Sequence, residues 1–356
     1  MIGSEVRMMN KWYVAILIAL LGVLCVPSAV LGQQEEAPRG KYYTLVDENN
    51  NIVHQTAIKV YPGDEYISSD NSRYKVVEVV GETARCVYQG EERMPVLNYN
   101  PEKKAWIFQE HSIPVETQKK PTIAIYHTHS DESYIKGDGK ESIEGNGGIY
   151  DIGKIFADRL RQLGFEVIYS DNNHNPHDIN AYNRSRRTAM QLIKESTPDV
   201  VVDIHRDAVP ADQYQTEVKG QDATKIKLVV GRTNPNMKAN LDFAKQIKAA
   251  MDKQTPGLSN GIFMGKGDYN QDLSPRVTLI EVGSHTNSKD EAEKGAKLFA
   301  STIPVVLGVP VEGQEAAAKP LTGGSGGAGT AILIILVVVG AAAAGYYFLN
   351  KGAQPR

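Results

Sequence analysis

The sequence predicts an α/β fold, a mainly parallel sheet with helices on both faces, preceded by a small β module and flanked by two apolar membrane segments. Three observations predict it. From residue 121 to about 308, short apolar runs rich in β-branched residues alternate with segments of helical periodicity, the pattern of a parallel sheet covered on both sides. Between 41 and 99, short β-type runs are separated by Asn-rich and Pro-Gly turns. Near either end of the chain, at 12–26 and 331–349, stands an apolar run without a charged residue.

Arg7 and Lys11 precede the first apolar run, and Val30 and Gly32 close it. Residues 1–32 therefore read as a secretory signal cut before Gln33 or as an uncut anchor, and the sequence leaves both open. Residues 33–40 are a polar spacer. In the β module and its connector, 41–118, strands are expected at 42–46, 57–61, 74–80 and 84–88, and His54 and His111 each stand alone, the usual situation of a structural or solvated histidine. The α/β domain spans 119–310. After a first strand at 122–126, a helix at 149–163 collects Ile152, Ile155, Phe156, Leu160 and Leu163 on one face, with Gly164 to close it. A strand at 165–169, a helix at 182–194, a strand from 199, a strand at 225–230, a helix at 240–251, a strand from 276 and a helix at 295–303 complete it.

Residues 311–329 form a Gly/Ala-rich linker with an r.m.s. span of roughly 25 Å. Residues 330–350 are long enough to cross the hydrocarbon core as a transmembrane helix, and 351–356 form a cytoplasmic tail with Lys351 and Arg356. Positive residues flank both apolar segments on the same side, so the positive-inside rule puts everything between them outside the cytoplasm.

A formal charge of −3 and a pI near 6.3 offer no basic field and argue against a nucleic-acid partner. With only Cys25 and Cys86, neither a disulfide framework nor a Cys-based zinc site is available, and any metal must use His and carboxylate.

Three strands end in such residues. The run TIAIYHTHSDESY (122–134) empties into His127, His129 and Glu132; DVVVDIHRD (199–207) ends in His205, Arg206 and Asp207; RVTLIEVGSHTN (276–287) delivers Glu281. In open α/β sheets, ligands bind at the carboxyl ends of strands. His127 and His129, two apart, point the same way in an extended segment, Glu132 can close on the same site, and His205 arrives from a neighbouring strand. Two His and one carboxylate, with a fourth position for water, is the ligand set of catalytic zinc. Glu281 is then the candidate general base and acid. Asp203 is expected to share a face with His205 and orient it. Arg206 and Asp207 read equally as a structural ion pair or as substrate contacts, and Asn270 and Gln271 as donors to substrate or as turn residues. His174 and His177 lie in a polar loop, read as solvated in preference to ligating; His285 is ambiguous. The bland reading of His127 and His129 is a polar strand end.

Together HTHSDESY (127–134), DIHRD (203–207), VVGRTNPN (229–236), YNQDLSP (269–275) and IEVG (280–283) resemble the stage II sporulation protein P family, over roughly 121–306. The resemblance implies a zinc-dependent N-acetylmuramoyl-L-alanine amidase fold and cleavage of peptidoglycan between muramic acid and L-alanine during engulfment. It also implies two partners, a lytic transglycosylase and a membrane protein that recruits both. By the same resemblance, Zn2+ falls to His127, Glu132 and His205, with His129 in reserve. The wider amidase fold offers Glu141 or Glu144 as rivals to Glu132. The C-terminal membrane segment and the β module depart from the family pattern, which leaves wall remodelling open beside sporulation. The rival readings are a wall-binding scaffold without activity and a metal-dependent phosphoesterase, the latter disfavoured by a chain with few histidines.

Overall fold

The computed structural model describes residues 36–97 and 120–309. The β module contributes β1 (Tyr43–Val46), β2 (Ile52–Thr56), β3 (Glu65–Ile67), β4 (Ser72–Val80) and β5 (Thr83–Glu91). Then come β6 (Thr122–Tyr126), α1 (Ile149–Gln162), β7 (Glu166–Tyr169), α2 (Ala181–Ser196), β8 (Val200–Asp207), β9 (Gln215–Val218), β10 (Gln221–Thr224) and β11 (Ile226–Gly231). The chain continues through α3 (Met237–Gln254), β12 (Ser259–Gly265), β13 (Val277–Ser284), α4 (Lys289–Ala300) and α5 (Ile303–Leu307). The apolar segments at 12–26 and 331–349, the linker and His111 lie outside the described residues. Among the described residues, no helix is long and apolar enough to cross a membrane.

One sheet runs in the order β2-β1-β5-β4-β3-β12-β11-β13-β8-β6-β7, and β9 with β10 forms a separate hairpin. Strands β13, β8, β6 and β7 are parallel, as crossovers through α1 and α2 require, whereas β11 is parallel to β12 but antiparallel to β13. The sheet is therefore mixed, which corrects the expectation of a mainly parallel one. Among the unforeseen strands, β12, SNGIFMG, is the junction: β3 of the β module pairs antiparallel with it. Gly261 makes that approach possible, with φ +83° and space for a Cβ only 2.2 Å from the Ile67 carbonyl.

Alternate residues of the central strands enter different apolar clusters, which is how a strand buries both faces. Ile123, Ile125, Val202, Ile204, Leu228 and Ile280 pack on one face with α1, α3 and α4, where Phe156 and Phe299 stack at 5.5 Å. On the other face, Ala124 and Val201 meet Ala189 and Leu192 of α2, while Val229, Phe263 and Leu279 meet Leu45, Tyr66 and Val76. The β module thus covers part of the face where a helix was expected. Its expected strand at 57–61 is absent, because the amides of Ala57 and Ile58 donate to Asp207 Oδ1 and Thr56 Oγ1 instead of to a ladder.

Candidate functional site

The three strands that end in chemistry, β6, β8 and β13, lie side by side. Their ends are tied to one another. The amide and hydroxyl of Thr128 donate to Asp203 Oδ1 and Oδ2 at 2.8 and 2.6 Å, and the amide of Arg206 donates to Glu132 Oε2 at 3.0 Å. That leaves Glu132 Oε1 facing two imidazoles, His129 Nδ1 at 3.2 Å and His205 Nδ1 at 3.5 Å, with Arg206 Nη1 at 3.8 Å. The rings of His129 and His205 meet edge to face at 4.8 Å. Burial alone would raise the Glu132 carboxyl, but His205 and Arg206 outweigh it and hold it well below the usual range. Burial would lower His205, but Asp203 and Glu132 raise it well above an ordinary imidazole. His205 Nε2 stands 3.1 Å from Asp203 Oδ1, an ion-pair distance outside hydrogen-bond alignment. Two imidazole nitrogens that each face one carboxylate oxygen, with a carboxylate behind one ring, are donors of the chemistry that suits zinc.

His127 is not in this group. Its Nδ1 is 3.0 Å from the Ile204 carbonyl and its Nε2 3.1 Å from the Tyr169 hydroxyl, and its ring lies against Gly153 of α1. Burial takes its pKa down to about 4, the Ile204 carbonyl only partly opposing. The same-face expectation for His127 and His129 fails because β6 ends at Tyr126; beyond it the chain turns and the period of two no longer applies.

Glu281 lies opposite His205 in register and opposite Lys227 on the other side. Its Oε2 is buried with no hydrogen-bond partner. Burial raises its carboxyl to about 8, Lys227 opposing and Asp207 adding. Arg206 and Asp207 do not pair with each other. Arg206 donates to the carbonyls of Ser133 and Glu141, whereas Asp207 pairs with Lys227 and accepts from Tyr214 and from the Ala57 amide. Asn270 and Gln271 are framework: Asn270 donates to Ser185 and to the Tyr182 carbonyl, and Gln271 bonds the Val229 carbonyl and the Gly231 amide. Glu144 is exposed, and Glu141 faces Arg39 and His285 on the rim. His174 is buried beneath the site, bonded to the His127 carbonyl and Thr188.

Two further residues enter the site, His177, which the sequence suggests is solvated, and Glu36, which it does not single out. His177 stacks on His129 at 3.7 Å and is held by Asp131 Oδ1 at 3.0 Å and Glu36 Oε2 at 3.1 Å. Its loop is pinned by Arg184 of α2, which donates to the His174 carbonyl and to Asp178. Glu36 Oε1 lies 3.2 Å from His129 Nδ1. Burial would raise Glu36 and lower His177; their mutual attraction overrides both, taking Glu36 to about 2 and His177 to about 10. Glu36, His129, Glu132 and His177 bring one ligand atom each within 4.8 Å of one another, a second grouping that shares two members with the first. Two histidines in one loop were a signal for His177. Glu36, in a polar spacer far along the chain from His129, gave none. A cavity of about 600 Å³ opens here, with Glu36, His129, His177, Arg206 and His285 on its wall.

The family model of stage II sporulation protein P matches residues 39–304. Stage II sporulation protein P of Bacillus subtilis (strain 168) is 28% identical over 206 residues, covering 52% of this chain and 51% of that protein, so the chain spans about half the length of the curated relative it matches. Among solved structures, the CwlD amidase from Clostridioides difficile in complex with the GerS lipoprotein is 18% identical, at a TM-score of 0.37, covering 53% of this chain and 96% of that one. An N-acetylmuramoyl-L-alanine amidase from Clostridium difficile 630 is likewise 18% identical, at 0.34, covering 53% and 94%.

Proposed function

Because this chain belongs to the stage II sporulation protein P family, we propose that it is a peptidoglycan hydrolase, a zinc-dependent N-acetylmuramoyl-L-alanine amidase tethered to the cell membrane with its catalytic part outside the cytoplasm. It acts in sporulation or in wall remodelling, with a lytic transglycosylase and a membrane recruiting protein as partners. The observation that carries the reading is the convergence of His129 Nδ1 and His205 Nδ1 on Glu132 Oε1 beside an unpartnered Glu281.

His129, Glu132 and His205 would hold the zinc; His127 is replaced by His129 in this role. When bound, zinc acidifies water and polarises a carbonyl. The chain's own groups do the rest. Asp203 holds His205 from behind, and the amide of Arg206 fixes the second oxygen of Glu132. Glu281 Oε2, with no internal partner to give up, takes the proton of the attacking water and returns it to the nitrogen of L-alanine as the carbonyl carbon–nitrogen bond breaks.

The test uses the full chain and purified sacculi, chelated and then supplied with stoichiometric zinc. Released stem peptides ending in a free L-alanine amine, identified by mass spectrometry and lost in Glu281→Gln, are the expected result. Binding to sacculi without release in every metal condition would favour the scaffold instead.

A further inference from the structure

The groups assigned above are shut in. Glu132 and His205 are 2% exposed and Glu281 5%, and the cavity beside them is walled by Glu36, His129, His177 and Arg206 rather than by those three. A muramyl amide cannot reach Glu281 until something moves.

The chain supplies the obstruction itself. Residues 36–41 form one side of the cavity. The Ala37 amide donates to the Ala57 carbonyl at 2.7 Å, Glu36 forms a single antiparallel bridge with Ile58, and Arg39 ion-pairs with Glu141 of the rim. From that support Glu36 sends one oxygen to His129 and the other to His177. The nitrogen it meets on His129 is Nδ1, the same atom that faces Glu132. Its carboxylate therefore stands at the mouth of the ligand group.

We infer that residues 36–41 are an autoinhibitory strap, and that Glu36 is a displaceable ligand that closes the fourth position of the metal centre and must leave before substrate binds. The inference rests on the zinc amidase reading. A catalytic zinc keeps three protein ligands and an open position, and a fourth protein ligand makes the closed set of a structural site. A carboxylate tethered in the same chain occupies that position at high effective concentration without any binding partner. The strap's backbone is held by one short bridge, whereas the site residues follow strands in full ladders, so it is the part of the site that opens at least cost. His177, pinned by Asp131 and stacked on His129, stays behind as the dock to which Glu36 returns.

The experiment compares the wild-type full chain with Glu36→Ala and Ala37→Pro, reading zinc affinity by chelator competition and stem-peptide release from sacculi. Loss of a direct ligand should weaken zinc at least about tenfold, the scale on which even an outer partner is felt. Release should rise about tenfold if the strap is closed nine-tenths of the time. Ala37→Pro removes the amide given to Ala57 but keeps the carboxylate, and should move both readouts in the same directions by less. A merely structural residue would lower both together. Zinc held as tightly by Glu36→Ala as by wild type overturns the inference whatever the activity; so does release no faster than that of an active wild type. No release from any chain overturns the amidase reading instead, with the zinc comparison still deciding whether Glu36 is a ligand.

Discussion

At the scale of single residues, the acid/base role proposed for Glu281 runs against stability. Burial lifts its carboxyl from 4.5 to about 8, so the folded chain prefers it protonated. The stability this represents is fully present below pH 4.5 and is lost as pH rises toward 8. In metal-free protein, Glu281→Gln should equal wild type near pH 4.5 and exceed it by roughly 3 kcal/mol at pH 7, measured by denaturant unfolding. The same substitution should lower zinc-loaded release by a factor of about 10² to 10⁴. Equal stability at pH 7 would mean that Lys227 already compensates the carboxylate. The histidines show what a sequence conveys about side chains. HTHSDE marked the turn, but what separates His127 from His129 is the Ile204 carbonyl and the Tyr169 hydroxyl, both supplied from elsewhere in the chain. Arg206 and Asp207 are neighbours in sequence yet serve different networks, because adjacent residues of a strand face opposite sides.

At the scale of elements, helices were more legible than strands. The 3.6-residue period put helices near 149–163, 182–194 and 240–251, and they run Ile149–Gln162, Ala181–Ser196 and Met237–Gln254. Strands β2, β3, β9, β10 and β12 were missed because each is short or interrupted by glycine or polar residues. Yet β3 and β12 make the junction between the β module and the rest of the sheet. Gly261→Ala would press a Cβ into the Ile67 carbonyl at a left-handed φ. We expect it to cost about 2 kcal/mol or more in thermal unfolding, with amide exchange accelerated first along β3 and β12. Unchanged protection there would show that the two strands separate freely.

For the molecule as a whole, the site is a collection of charges that folding forces together. Glu132 lies within 3.5 Å of His129 and His205, and Glu36 within 3.2 Å of His129 and His177, groups that come from different segments of the chain. A metal that binds this arrangement and not the unfolded chain must stabilise the fold. Free zinc at 100 times its dissociation constant should add about 2.7 kcal/mol, seen in calorimetry as a melting temperature several degrees above that of chelated protein. No shift would mean that the native arrangement binds zinc no better than the unfolded chain does.

The sequence by itself determined the alternation of strands and helices over 121–308, the scarcity of cysteine that leaves any metal to His and carboxylate, the family resemblance, and the three strand ends that became neighbours. These are properties of local pattern, period and residue type. Only long-range packing set the mixed sheet, the separation of His127 from the His129–Glu132–His205 group, the internal hydrogen bonds of Asn270 and Gln271, and the arrival of Glu36 beside His129. Each of these depends on which distant backbone carbonyl, amide or carboxylate comes within about 3 Å. No local period encodes that distance, because it is set only when segments separated by tens to hundreds of residues pack together.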